Sequence, residues 1–159
     1  MEKTFELKMF KVGLFGVDCK YRLSETDDEN IVTENEYHVK VSRPIHSDLE
    51  NLFSKDLTEI LANIINTADD MAAIESGTSR IVPTGITFAG KNDNIGISII
   101  GERQTKFGRS VFKTPRIKYK TSETDVAAKL TVFAERIVEE AREYLFENKT
   151  AEMAVFGDE

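Results

Sequence analysis

The chain has 159 residues, a formal net charge of −7 and a single cysteine, Cys19. That length buries roughly two thirds of the unfolded surface, so one domain can hold together without metal or disulfide, and one cysteine cannot close an internal bridge. Purely apolar runs stay far below the roughly 20 residues that cross a bilayer, and no cationic segment followed by an apolar run opens the sequence. The expectation is one α+β domain over residues 1–147 with a short acidic tail at 148–159, cytoplasmic and in a reducing compartment.

Period-two apolar positions from Phe5 to Leu14 and from Val17 to Leu23 predict two half-buried strands, with Gly13 and Gly16 at a bend or bulge between them. Glu25 to Asn30 reads as an acidic turn, and Tyr37, Val39 and Val41 alternate as a third strand before Pro44. Ser47 followed by Glu50 resembles a capping box, and the apolar period then lengthens through Leu52, Phe53, Leu57, Ile60 and Ile64, predicting a helix over Asp48–Thr67. Strand patterns return at Ile81–Ala89, Ile95–Ile100 and Ser110–Tyr119, joined by turns at Lys91–Asn94 and Thr105–Gly108. Thr121 or Ser122 is expected to cap a second helix over Glu123–Glu147, with Leu130, Phe133 and Ile137 on its buried face.

Gly85–Asn92, GITFAGKN, matches the phosphate loop G-x-x-x-x-G-K-[ST] except at Asn92. That loop works by opening a helix whose N-terminus faces phosphate. Here a strand pattern precedes and the β-patterned IGISII follows, so the segment is read as a hairpin. The order strand-strand-strand-helix-strand-strand-strand fits an antiparallel sheet or an OB-like barrel, with an added C-terminal helix; such barrels bind oligonucleotides on one sheet face.

The charge is polarised along the chain. Between Glu102 and Lys120 seven cations stand against one acid, a local +6 that leaves −13 for the remainder. The cations Arg103, Lys106, Arg109, Lys113, Arg116, Lys118 and Lys120 are interleaved with Phe107, Phe112 and Tyr119. Single-stranded nucleic acid binding uses this mixture, because cations neutralise phosphates while aromatic faces stack on unpaired bases. In an unbroken strand Phe112 would share a face with Arg116 and Lys118, and Val111, Lys113 and Tyr119 would share the other. Pro115 interrupts that register. The competing reading puts Phe112 and Tyr119 in the core and leaves the cations as a solvated hairpin.

Catalysis has little support. His38 and His46 have no nucleophile or carboxylate at triad spacing, no metal-binding pattern of histidines and cysteines is present, and Asp27-Asp28 and Asp69-Asp70 read as turn residues. Neither enzyme nor cofactor nor metal is expected.

The segments LKMFKVGLFGV, SRPIHSDLENLF, PTGITFAGKNDNIGISIIG, KTPRIKY and YLFENKTAEMAVF resemble a group of short uncharacterised accessory proteins of tailed bacteriophages and prophages. The resemblance implies a bacterial cytoplasm during infection, and work in DNA replication or recombination or against host defence. Two functions follow as expectations. One is a single-stranded nucleic acid-binding accessory protein using the ten residues named above. The other is a non-catalytic protein that binds a host protein or sequesters a charged small molecule. A homo-oligomer is expected from the two amphipathic helices, and the tail AVFGDE is a candidate contact for a host or phage protein.

Overall fold

Strand alternation and one long apolar helix face together dictate the architecture. The computed structural model describes residues 2–13, 16–65, 81–105, 107–120, 124–147 and 149. Asp69-Asp70, Lys106, Thr121, Ser122 and the tail beyond Lys149 lie outside them.

Strands β1 (Glu2–Val12), β2 (Val17–Thr26) and β3 (Val32–Val41) form an antiparallel meander. The β1–β2 hairpin closes through Gly13 N–H on the Gly16 carbonyl at 2.8 Å, and Lys8 is the extra residue of a bulge between Leu7 and Met9. The turn into β3 is organised by Asp27, whose Oδ1 accepts from Glu29 and Ile31 N–H at 2.9 Å each. This local bonding is what suits an aspartate to the turn.

The first helical run comprises α1 (Ser47–Asn51), a π-helical stretch (Leu52–Leu57) and α2 (Thr58–Ile65). Its cap is His46 rather than Ser47: the His46 Nδ1 accepts from Asp48 N–H at 3.1 Å. In the π stretch Thr58 Oγ1 donates to the Phe53 carbonyl at 3.0 Å, and the wider turn brings Leu52, Phe53 and Leu57 onto the buried side together. Strands β4 (Ile81–Ala89), β5 (Gly96–Thr105), β6 (Gly108–Lys113) and β7 (Ile117–Lys118) follow, with a three-residue 3₁₀ turn at Asn92–Asn94. GITFAGKN therefore runs along a strand into a hairpin, and no helix of the phosphate-loop kind opens there. Helix α3 (Asp125–Phe146) is capped by Thr124, whose Oγ1 accepts from Ala127 N–H at 3.1 Å, two or three residues beyond the expected cap.

The sheet is antiparallel in the order β3-β2-β1-β4-β5-β6, with β7 also on β5. It stays open at β3 and β6, so the barrel expected as one alternative does not form among the described strands. Both helical runs pack on one face. There Phe10, Ile86, Ile97 and Ile99 meet Leu52, Phe53, Leu57, Leu130, Phe133 and Ile137, nearly all fully buried. Phe53 bridges Phe10 and Phe133, with ring centroids 6.1 and 6.5 Å away, and Tyr144 donates to the Arg43 carbonyl at 2.7 Å. Among the described residues no helix is long and apolar enough to cross a membrane.

Candidate nucleic-acid interface

Among the described residues the helices leave the opposite face of the sheet uncovered, and strand register decides which side chains share it. One row reads Lys40, Asp18, Lys11, Gly85, Ile100, Lys113 across β3-β2-β1-β4-β5-β6. The next reads His38, Lys20, Met9, Thr87, Ser98. A third places Lys118 beside Gly96 and Ala89. Strands about 4.8 Å apart make the first row about 24 Å long.

Small residues form the floor. A Cβ on Gly85 would lie 2.7 Å from Lys11 Cγ, and one on Gly96 would lie 2.6 Å from Arg116 Cγ. Lys11 and Arg116 thus lie flat over glycines, and the Arg116 guanidinium reaches Gly90, whose φ of 97° suits glycine. Lys11, Lys20, Lys40, Lys113, Arg116 and Lys118 are all exposed, and among the described residues none of them makes an ion pair. By contrast Lys129 pairs with Glu59 and Arg136 with Asp56 on the helical side, at 3.0 and 3.3 Å. Carboxylates on the open face are engaged by neighbouring cations: Asp18 by His38 at 2.5 Å, Glu102 by Arg109 at 3.4 Å, Glu36 by Arg22 at 2.6 Å and Glu6 by Lys8 at 2.7 Å.

The expected residues divide. Arg109, Lys113, Arg116 and Lys118 contribute to the open face, while Arg103 is exposed but follows the helix-side parity of Ile97 and Ile99. Phe107 is fully exposed at the tip of the β5–β6 hairpin. Phe112 packs over Gly101 against the core, and Tyr119 is only 7% exposed, its hydroxyl pushed up in pKa by burial and by Glu135. Burial leaves the Tyr119 ring no face for stacking, while the Phe112 ring is half-buried. Lys120 lines a separate groove of about 430 Å³ between β1 and α3.

The expected parity also fails, for a physical reason. Thr114 still bonds Ile99 and Ile117 still pairs with Ile97, so Pro115 and Arg116 together oppose Ser98. Proline has no N–H for the ladder, and the extra residue of this bulge puts Lys113 and Lys118 on the same face. Lys11, Lys20 and Lys40 were missed because they lie far away in the chain. Their signal was the polar parity of β1, β2 and β3.

No catalytic arrangement emerges among the described residues. Cys19 is buried on the helical face, its thiol pushed up to about 12 by burial and then by Asp18. A thiolate is thus disfavoured, and the His38–Asp18 pair faces the other way. One group of three carboxylates, Glu139, Glu143 and Glu147, converges on α3, but Arg142 bridges the outer two and Lys149 binds Glu143. Comparison with protein-family models, curated proteins and solved structures returns no match.

Proposed function

We propose that this chain is a non-catalytic nucleic acid-binding accessory protein, of the kind phages supply for DNA replication or recombination. In this reading the open sheet face holds the phosphate backbone of a single strand. Lys11, Lys20, Lys113, Arg116 and Lys118 neutralise phosphates, Lys40 stands at the edge, and Phe107 stacks on an unpaired base at the hairpin tip. The observation that carries the reading is the convergence, from five strands, of cations without ion-pair partners among the described residues on a floor of small residues. Repulsion among such cations is relieved by a polyanion, whose binding also releases counterions. A single strand is preferred to a duplex because a wholly exposed phenylalanine beside cations suits an unstacked base.

Fluorescence anisotropy tests it directly, with a labelled unstructured oligonucleotide and the same sequence as duplex, at low and moderate salt. The expected result is single-strand binding that weakens steeply with salt. No binding of either form at low salt removes the reading. A second reading, capture of a small anion, has one supporting feature: a cleft of about 400 Å³ at the base of the β1–β2 hairpin, lined by Lys11 and Lys40 but also by Asp18 and Glu102.

A further inference from the structure

Among the described strands β3 is an unpaired sheet edge, ten residues long, with no proline and an unbroken register against β2. Proteins usually blunt such edges with short strands, prolines or bulges, because an open row of N–H and C=O groups templates pairing with another chain. The opposite edge is blunted in this way, by six-residue β6 and the bulge at Pro115. The edge β3 is not.

Its outer-face charges explain what it is suited to. Along VTENEYHVKV the titratable side chains on the open face are Glu34, Glu36, His38 and Lys40, acid, acid, base, base. Reversed against a second copy of itself about Tyr37, this string sets every member opposite its complement: Glu34 against Lys40 and Glu36 against His38, each twice. The neighbouring registers are worse. Centring on His38 sets that residue against itself, and centring on Glu36 sets two carboxylates together. Opposite charges directly across a strand pair stabilise it and like charges do the reverse.

We propose that two copies of this chain associate through β3 edges, antiparallel about a two-fold axis at Tyr37, into one continuous sheet. Within each copy Glu36 already bonds Arg22 at 2.6 Å and His38 Nε2 already bonds Asp18 at 2.5 Å. Pairing thus extends both into a ladder, Arg22 and Glu36 of one copy with His38 and Asp18 of the other. On the helical side Tyr37, 41% exposed and stacked on Tyr21 with centroids 5.1 Å apart, meets its own equivalent on the axis. The exposed apolar Val32 comes under cover at each end of the pairing. Because the axis stands perpendicular to the sheet, both open faces look the same way. This association does not depend on what the open face binds.

The test is charge exchange in the full chain, read by sedimentation velocity and native mass spectrometry. The unchanged chain is expected to dimerise. E34K sets two lysine side chains opposite each other, K40E sets two carboxylates opposite each other, and each raises the dimer Kd about tenfold or more. Mixing the two single variants restores opposite charges in both halves of the pairing, where each variant alone has none at these positions, so a heterodimer is expected to form in preference to either homodimer. The double variant E34K/K40E restores both halves and recovers the homodimer, which also shows that the single variants fail by charge and not by unfolding. A chain that stays monomeric at tens of micromolar overturns the proposal. So does a dimer that both single variants leave intact, or a double variant that dimerises no better than either single one.

Discussion

Salt dependence gives the open face its most quantitative prediction. Each phosphate neutralised on a single strand contributes about −0.7 to the slope of log K against log salt. Lys40 is left out, since in the proposed dimer it faces Glu34 of the second copy. The remaining five exposed cations, Lys11, Lys20, Lys113, Arg116 and Lys118, give a slope near −3.5, or an affinity loss of roughly 100-fold between about 50 and 200 mM salt. Replacing Lys11, Lys113 and Lys118 together by glutamine should bring the slope to about −1.4 and the same loss to under about tenfold. These side chains are exposed and without ion-pair partners among the described residues, so their removal should leave the urea unfolding midpoint nearly unchanged. Lys129 and Arg136, paired with acids on the helical side, provide the control: their double replacement should leave the slope unchanged. Anisotropy titrations at four or more salt concentrations measure it. Equal flattening by the sheet-face and helix-side variants would refute a localised interface, and binding that is indifferent to the Lys11 triple variant would place the contacts elsewhere.

The remaining predictions concern the scaffold. Phe10→Ala and Leu130→Ala, at side chains with 0% exposure, should each cost roughly 2 to 5 kcal/mol in urea unfolding. The Cys19 thiol, raised from 9.0 to about 12 in the fold, binds its proton more tightly folded than unfolded, so its contribution to stability is complete below about pH 9 and lost as pH rises toward 12; thiol reagents at pH 8 should modify it only after unfolding. Lys149 sits among Asp48, Glu140 and Glu143 at 3.0, 3.0 and 2.9 Å, and one Glu140 oxygen is buried with no partner among the described residues, so Lys149→Met should cost about 1 to 3 kcal/mol. Lys149 also holds the Asp48 carboxyl below its ordinary range. That increment of stability is present above the carboxyl's unfolded value and lost as pH falls through the folded one, and acid unfolding followed by circular dichroism should show a weaker pH dependence in the variant.

Local pattern carried most of the fold and little of the site. Alternation in β1, β2 and β4 and the helical period around Leu52–Ile60 were legible because each is fixed by side chains within one element contacting a single core. His46 displaced Ser47 as cap because its imidazole nitrogen reaches Asp48 N–H as a serine oxygen would. The openness of the sheet was not legible, since it depends on β1 meeting β4 only from Met9 to Lys11, a long-range pairing with no local signature. Of the site, the cationic hairpin could be read as a charge run, but its partners could not. Lys11, Lys20 and Lys40 join it only through three successive strand registers. The bulge at Pro115 then reverses the parity that an unbroken strand would assign, moving Lys118 alongside Lys113 and turning Tyr119 into the core.

The acidic net charge and the proposed polyanion-binding face are compatible because much of the unbalanced acid stands on the helical layer. Asp56, Glu59, Glu135, Glu139 and Glu143 stand on the helices, and several are met by helix-side cations such as Lys129, Arg136 and Arg142. The cations proposed to hold phosphate on the sheet face have no such partners among the described residues. A charge of −7 spread evenly would repel phosphate from every side, whereas this division repels it from the helical layer and attracts it to the sheet. Pairing at β3 would double the attractive area without burying it, because the axis at Tyr37 keeps both sheet faces on one side and both helical layers on the other. In such a dimer the acids Glu34 and Glu36, the main negative charges on the open face near the edge, are matched by Lys40 and His38 of the second copy. At the join between the two cationic fields these acids are then paired across the strands rather than left open toward a strand lying across it.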